Sequence, residues 1–165
     1  MVGGHSSAFS AFDAVGRQQV LPQPAAGLPD LRFNDGKVDA RGRFWAGTVQ
    51  EKRVAGLAGL YRLDPDETCR QMVSGITVSN GLAWSPDGRT MYLACSHART
   101  VWARNFDMDG GVPGARRVFA FFDAAEGVPD GATVVSAALA AAPDSGSVFA
   151  LRPGVSGIAE PEFGW

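Results

Sequence analysis

Asn34, Asn80 and Asp130 supply amide and carboxylate oxygens at intervals of 46 and 50 residues along a 165-residue chain. Oxygens of these two kinds are what a hard divalent cation prefers, so the chemistry they offer is cation binding, provided the fold brings them together. Arg32 precedes Asn34 by two residues, and the adjoining Asn34-Asp35-Gly36 marks it as a residue of the same locale. Taken singly, Asn80-Gly81 and Asn34-Asp35-Gly36 are ordinary turn sequences. Their regular spacing is what makes them a candidate site. Other centres are less well supported. His5 and His97 have no metal-ligand partner at helical or hairpin spacing, and the chain has neither a Gly-Xaa-Ser-Xaa-Gly elbow nor a phosphate-binding glycine loop.

The elements that must position these residues repeat. Asn34 and Asn80 each stand eight residues before a Gly-Arg pair, Gly42-Arg43 and Gly88-Arg89, and an aromatic follows each pair. The 46-residue period lies in the range of a β-propeller blade, about 40–50 residues. Lys37 to Asp39 and Leu82 to Trp84 read as short strands that end in tight turns, with Phe44 to Ala46 and Met91 to Ala94 as the returning strands. Gly59 to Leu63 and Val101 to Phe106 supply further strands. Asp64, Asp66, Asp87, Asp107 and Asp109 then read as solvated turn residues. Trp45, Trp84 and Trp102 read as core between blades. A third unit opens at Val128-Pro129-Asp130-Gly131 but meets an alanine-rich run from Val134 to Ala142, and strand character resumes at Ser147 to Leu151. In a propeller the equivalent positions of successive blades face one axis, so Asn34, Asn80 and Asp130 are expected at one mouth of a central channel. The fold class is all-β, a partial β-propeller with about two intact blades plus remnants.

Composition sets the outer bounds. The 21 glycines and 10 prolines fall between short apolar runs, which favours many strands joined by tight turns. A net charge of -2 gives no electrostatic reason to bind nucleic acid or an anionic membrane; a small neutral or acidic substrate is the easier expectation. No apolar run approaches the ~20 residues of a membrane helix, and Met1 to Asp13 does not read as a signal peptide. Two cysteines, Cys69 and Cys95, in no metal-type spacing suit reduced thiols, and a cytoplasmic location is expected.

Arg32-Phe33-Asn34-Asp35-Gly36-Lys37-Val38-Asp39, followed by Gly42-Arg43-Phe44-Trp45-Ala46-Gly47-Thr48, resembles the signature segment of the SMP-30/gluconolactonase/regucalcin family. So do Ser79-Asn80-Gly81-Leu82-Ala83-Trp84-Ser85-Pro86-Asp87-Gly88 and Pro129-Asp130-Gly131. On this resemblance residues 1–27 are an N-terminal remnant and 28–133 are family-like blades. Residues 134–145 diverge, and 146–165 return to the family's closing segment. The resemblance implies a six-bladed propeller with one divalent cation (Ca, Zn, Mg or Mn) in the channel and a small-molecule sugar lactone as substrate. Asn80 and Asp130 would be metal ligands and Asp130 also the general base for water attack on the ring carbonyl. Arg32 and Asn34 would bind the sugar hydroxyls, with Glu51 near a further family contact. In the family a Glu of the first blade completes the ligand set, and no counterpart is found in this sequence; Glu51, Glu160 or water would have to replace it. Where the family often has Asp before Ser at the end of the second strand, this chain has Cys95.

At ~46 residues per blade the chain holds fewer than four blades, which leaves sheet edges through which copies would self-associate. Three readings therefore stand side by side: a sugar lactonase, an inactive truncated relative, and a noncatalytic divalent-metal-binding propeller fragment.

Overall fold

The computed structural model describes residues 2–5, 8–28 and 30–134, and all regular structure in them is strand. Eleven strands form three antiparallel sheets that follow one another along the chain. The first sheet holds β1 (Val2–His5), β2 (Ala8–Phe12) and β3 (Gln18–Val20). The second runs β4 (Leu31–Val38), β5 (Phe44–Gln50), β6 (Ala58–Leu63) and β7 (Cys69–Ile76). The third runs β8 (Ser79–Trp84), β9 (Thr90–Cys95), β10 (Thr100–Asp107) and β11 (Val112–Phe121). Each four-stranded sheet is a meander, every strand paired with its sequence neighbour. The two hairpins expected from the Gly-Arg repeat are β4–β5 and β8–β9.

The sheets stack face to face with apolar layers between them. Phe9, Leu21, Phe33, Tyr61 and Leu63 fill the layer between the first and second sheets. Trp45, Leu60, Trp84, Met91, Leu93 and Phe106 fill the next, where Trp45, Trp84 and Phe106 meet ring to ring at 5.7–5.9 Å. β6 and β8 are buried along their whole length, including the polar Arg62, Ser79 and Asn80. The outer strand β11 is largely exposed. Trp45 and Trp84 occupy the inter-blade core as expected; Trp102 is only partly buried and lies under the Arg116 guanidinium, 4.6 Å from its ring centre.

Two arginines of the second sheet hold a turn of the third. Arg43 donates to the carbonyls of Met108 (2.6 Å) and Asp109 (3.0 Å), and Arg62 donates to those of Gly110 (2.8 Å) and Gly111 (2.7 Å). Gly111 has φ +62°, and a Cβ there would come within 2.5 Å of both guanidinium groups. Arg43 also pairs with Asp39 at 2.6 Å, with both side chains buried, and Asp39 accepts the Trp45 indole N–H at 2.9 Å. Arg62 and Arg70 both reach Asp64, each at 2.8 Å. Asp64 is therefore no solvated turn residue: its side chain is 15% exposed, because the inward-facing Arg62 needs a counter-charge.

The N-terminal segment, expected as a remnant, forms a three-stranded sheet, one strand fewer than each of the other two. Phe9 of this sheet is fully buried against Phe33 of β4, their rings 4.5 Å apart. At the other end, residues 127–134 form no strand. The alanine-rich run beyond Val134 and the strand read at Ser147 to Leu151 lie outside the described residues. Among the described residues, no helix is long and apolar enough to cross a membrane.

Candidate active site

Strand alternation decides which side chains of β4 are available. Leu31 and Phe33 enter the core, so Arg32 and Asn34 emerge on the opposite face. Asn34 is the fourth residue of β4 and Asn80 the second of β8, and these two strands lie side by side as the leading strands of consecutive sheets. The Asn34 side chain donates to the Ser79 carbonyl at 3.0 Å, one residue before Asn80. The Asn80 side chain in turn donates to Asp130 Oδ1 at 2.7 Å. The three residues picked out by the repeat are thus linked in order, each asparagine reaching the head of the next unit.

Asp130 lies against β8 because position 81 is glycine. Gly81 has φ +53°, and a Cβ there would stand 2.7 Å from the Asp130 carbonyl oxygen and 3.0 Å from the Ala94 Cβ. No larger residue leaves room for the 130–132 segment. The segment is also held from β4, where Lys37 Nζ lies 3.3 Å from the Ala132 carbonyl and 3.4 Å from Thr133 Oγ1.

Arg32 pairs with Glu51 at 2.9 Å, both side chains about half exposed. A second Arg32 bond, to the Phe33 carbonyl at 3.1 Å, fixes the guanidinium close to its own strand. The structure therefore joins Arg32 to Glu51, and joins Asn34, Asn80 and Asp130 in a chain of contacts.

Three neighbours were not singled out from sequence. Asp35 accepts the Leu82 backbone N–H at 3.2 Å and ties β4 to β8. Lys37 holds the segment after Asp130. Ser96 donates to the Pro129 carbonyl at 2.6 Å and accepts from Asn80 Nδ2 at 3.1 Å. Asp35 and Lys37 belong to the quoted signature segment, and that was the signal that could have found them. Ser96 works largely through a backbone carbonyl and leaves no such trace.

The amide and carboxylate keep donor capacity for a cation after these bonds are counted. Asn80 Oδ1 accepts only the Gly81 N–H, at 3.2 Å, and Asp130 Oδ2 has no bond to another described residue. Two hard oxygens thus remain on neighbouring side chains; because Asn80 shows its NH2 group to the carboxylate and its oxygen to Gly81, the amide has to turn for both oxygens to serve one divalent-cation shell.

Comparison with known proteins gives the arrangement its lineage. The family model for the SMP-30/gluconolactonase/LRE-like region matches residues 1–153. The chain belongs to this family. It is 38% identical over 136 residues to 6-deoxy-6-sulfogluconolactonase of Pseudomonas putida, an alignment covering 81% of this chain and 46% of that protein. It is 40% identical over 125 residues to regucalcin of Danio rerio, covering 74% of this chain and 42% of that one. Among solved structures, a calcium-binding protein, regucalcin from Agrobacterium tumefaciens, superposes with a TM-score of 0.74 at 25% identity, over 82% of this chain and 46% of that one. The chain thus spans less than half the length of these relatives, and its three sheets are part of the family's six-bladed propeller.

Proposed function

We propose that this chain carries the metal-binding and substrate-binding half of a sugar-lactone hydrolase centre. The observation that carries the reading is the 2.7 Å contact between Asn80 and Asp130, two residues 50 apart that the family motifs mark as metal ligands. A divalent cation held by the Asn80 amide oxygen and the Asp130 carboxylate would supply Lewis-acid polarisation of a lactone carbonyl. Asp130 has a second task, as the general base that takes a proton from the attacking water. Its carboxylate has about four lone-pair positions, and Asn80 occupies one. Arg32 and Asn34, on the exposed face of β4, orient the hydroxyls of the sugar ring. Glu51 holds the Arg32 guanidinium in place for that work.

The relatives support the substrate class: one is named for lactonase activity on a sulfogluconolactone, and another solved relative is described as calcium-binding. The test is hydrolysis of a six-carbon aldonolactone with Ca, Zn, Mg or Mn added, comparing the natural chain with Asp130→Ala. Metal-stimulated turnover that falls by at least ~100-fold in the variant supports the reading. Turnover no faster than with an unrelated protein, under every metal, overturns it.

A further inference from the structure

Ser96, the residue after β9, stands between Asn80 and the backbone that carries Asp130. A serine hydroxyl has one proton and two lone pairs. The Pro129 carbonyl, 2.6 Å away, can only accept, so the proton is committed to it. Ser96 therefore faces Asn80, at 3.1 Å, with a lone pair. An amide NH2 satisfies that lone pair; an amide oxygen would oppose it. The Asp130 carboxylate makes the same demand from its side, at 2.7 Å.

The two demands differ once a cation is present. A cation held by Asp130 would compete with the Asn80 NH2 group for the carboxylate, so the carboxylate's demand on that group would weaken. The Ser96 lone pair does not change, because its proton stays on Pro129. We propose that Ser96 is a positioning residue that fixes which end of the Asn80 amide is offered to the cation, and that it sets the spacing of Asn80 from Asp130 through Pro129. This rests on the reading of Asn80 and Asp130 as metal ligands. Partners of this kind, one step removed from the metal, change affinity by about 10–100-fold.

The experiment uses the whole chain, with Ser96→Ala and the hydroxyl-retaining Ser96→Thr. Calorimetric titration with CaCl2 and with MnCl2 measures affinity. The side-chain amide pair of Asn80, assigned by its loss in Asn80→Asp, is followed by NMR without metal. Ser96→Ala is expected to weaken binding at least ~10-fold and to shift the Asn80 amide pair, and Ser96→Thr is expected to restore both. Binding by Ser96→Ala as tight as by the natural chain overturns the proposal, as does an Asn80 amide pair that does not move. If the natural chain binds neither ion, the ligand reading itself fails, while the amide pair still reports whether Ser96 holds Asn80.

Discussion

Replacing Asp39 by alanine strikes the most heavily used carboxylate of the second sheet. Asp39 accepts the backbone N–H groups of Arg41 (2.9 Å) and Arg43 (3.1 Å), the Arg43 Nε–H (2.6 Å) and the Trp45 indole N–H (2.9 Å). Without it the Arg43 guanidinium, 8% exposed, keeps its carbonyl partners but loses its counter-charge. Removing one member of a buried pair costs about 3–5 kcal/mol. The indole N–H of Trp45, fully buried, would be orphaned as well, at about 1–3 kcal/mol. Because these losses share one cluster they do not add, and about 4 kcal/mol is the expected destabilisation, much of a typical domain's ~5–15 kcal/mol. The repeat provides an internal control. Ser85 stands at the same turn position 46 residues later, but it is uncharged and has no buried cation to balance: it accepts the Thr90 N–H at 3.0 Å and donates to the exposed Asp87 carboxylate at 2.6 Å. Ser85→Ala should cost only ~1 kcal/mol. Urea unfolding followed by tryptophan fluorescence measures both, since Trp45 and Trp84 lie in the affected layer. Equal losses from the two substitutions would refute the reasoning, because the buried charge would then contribute nothing beyond a turn hydrogen bond.

Other outcomes follow from the same geometry. Gly111→Ala places a methyl between the Arg43 and Arg62 guanidiniums at positive φ, and the backbone cost alone is about 1–2 kcal/mol; thermal unfolding should show a clear drop, and an unchanged midpoint would count against the clamp. The Cys69 thiol is pushed up from 9.0 to about 11, chiefly by burial and then by the charge of Asp64. Its unfolded form ionises near the lower value, so its share of the stability is complete below about pH 9 and is lost as pH rises toward 11. Thiolate absorbance against pH checks this, and half-ionisation of Cys69 near pH 9, its ordinary value, would overturn it. Arg32→Met should raise KM about tenfold or more by removing a charged hydrogen bond to substrate, while stability changes little, since an exposed pair such as Arg32–Glu51 contributes at most ~1 kcal/mol. An unchanged KM would remove Arg32 from the site.

The parts of this fold that were legible in sequence are those written in side chains at a fixed period. The Gly-Arg turns at 46 residues located both leading hairpins, and the same register set Asn34, Asn80 and Asp130 beside one another. What escaped was written in backbone. The acceptors for Arg43 and Arg62 are turn carbonyls, and the acceptor for Ser96 is the Pro129 carbonyl, which every residue type possesses alike. The first sheet escaped for another reason. Its strands are short and carry no Asn eight residues before a Gly-Arg pair, and Phe9 declares itself as core only once Phe33 is packed on it. Asp64 reads as a solvated turn residue because Asp64-Pro65-Asp66 is a turn sequence, and the inward course of its neighbour Arg62 shows only in the fold.

The grip of Arg43 and Arg62 on the turn from Met108 to Gly111 also bears on how the molecule opens. For the third sheet to detach alone, two buried guanidiniums would have to surrender four carbonyl acceptors while their own sheet remained intact around them. Opening the second sheet alone would strand the same four carbonyls. Neither sheet has an inexpensive route to separate fluctuation, so amide hydrogens in β5, β6, β9 and β10 should exchange with solvent through one shared event. Repetition in sequence thus yields a single cooperative unit in energy, stitched by cations that belong to one repeat and bind the next.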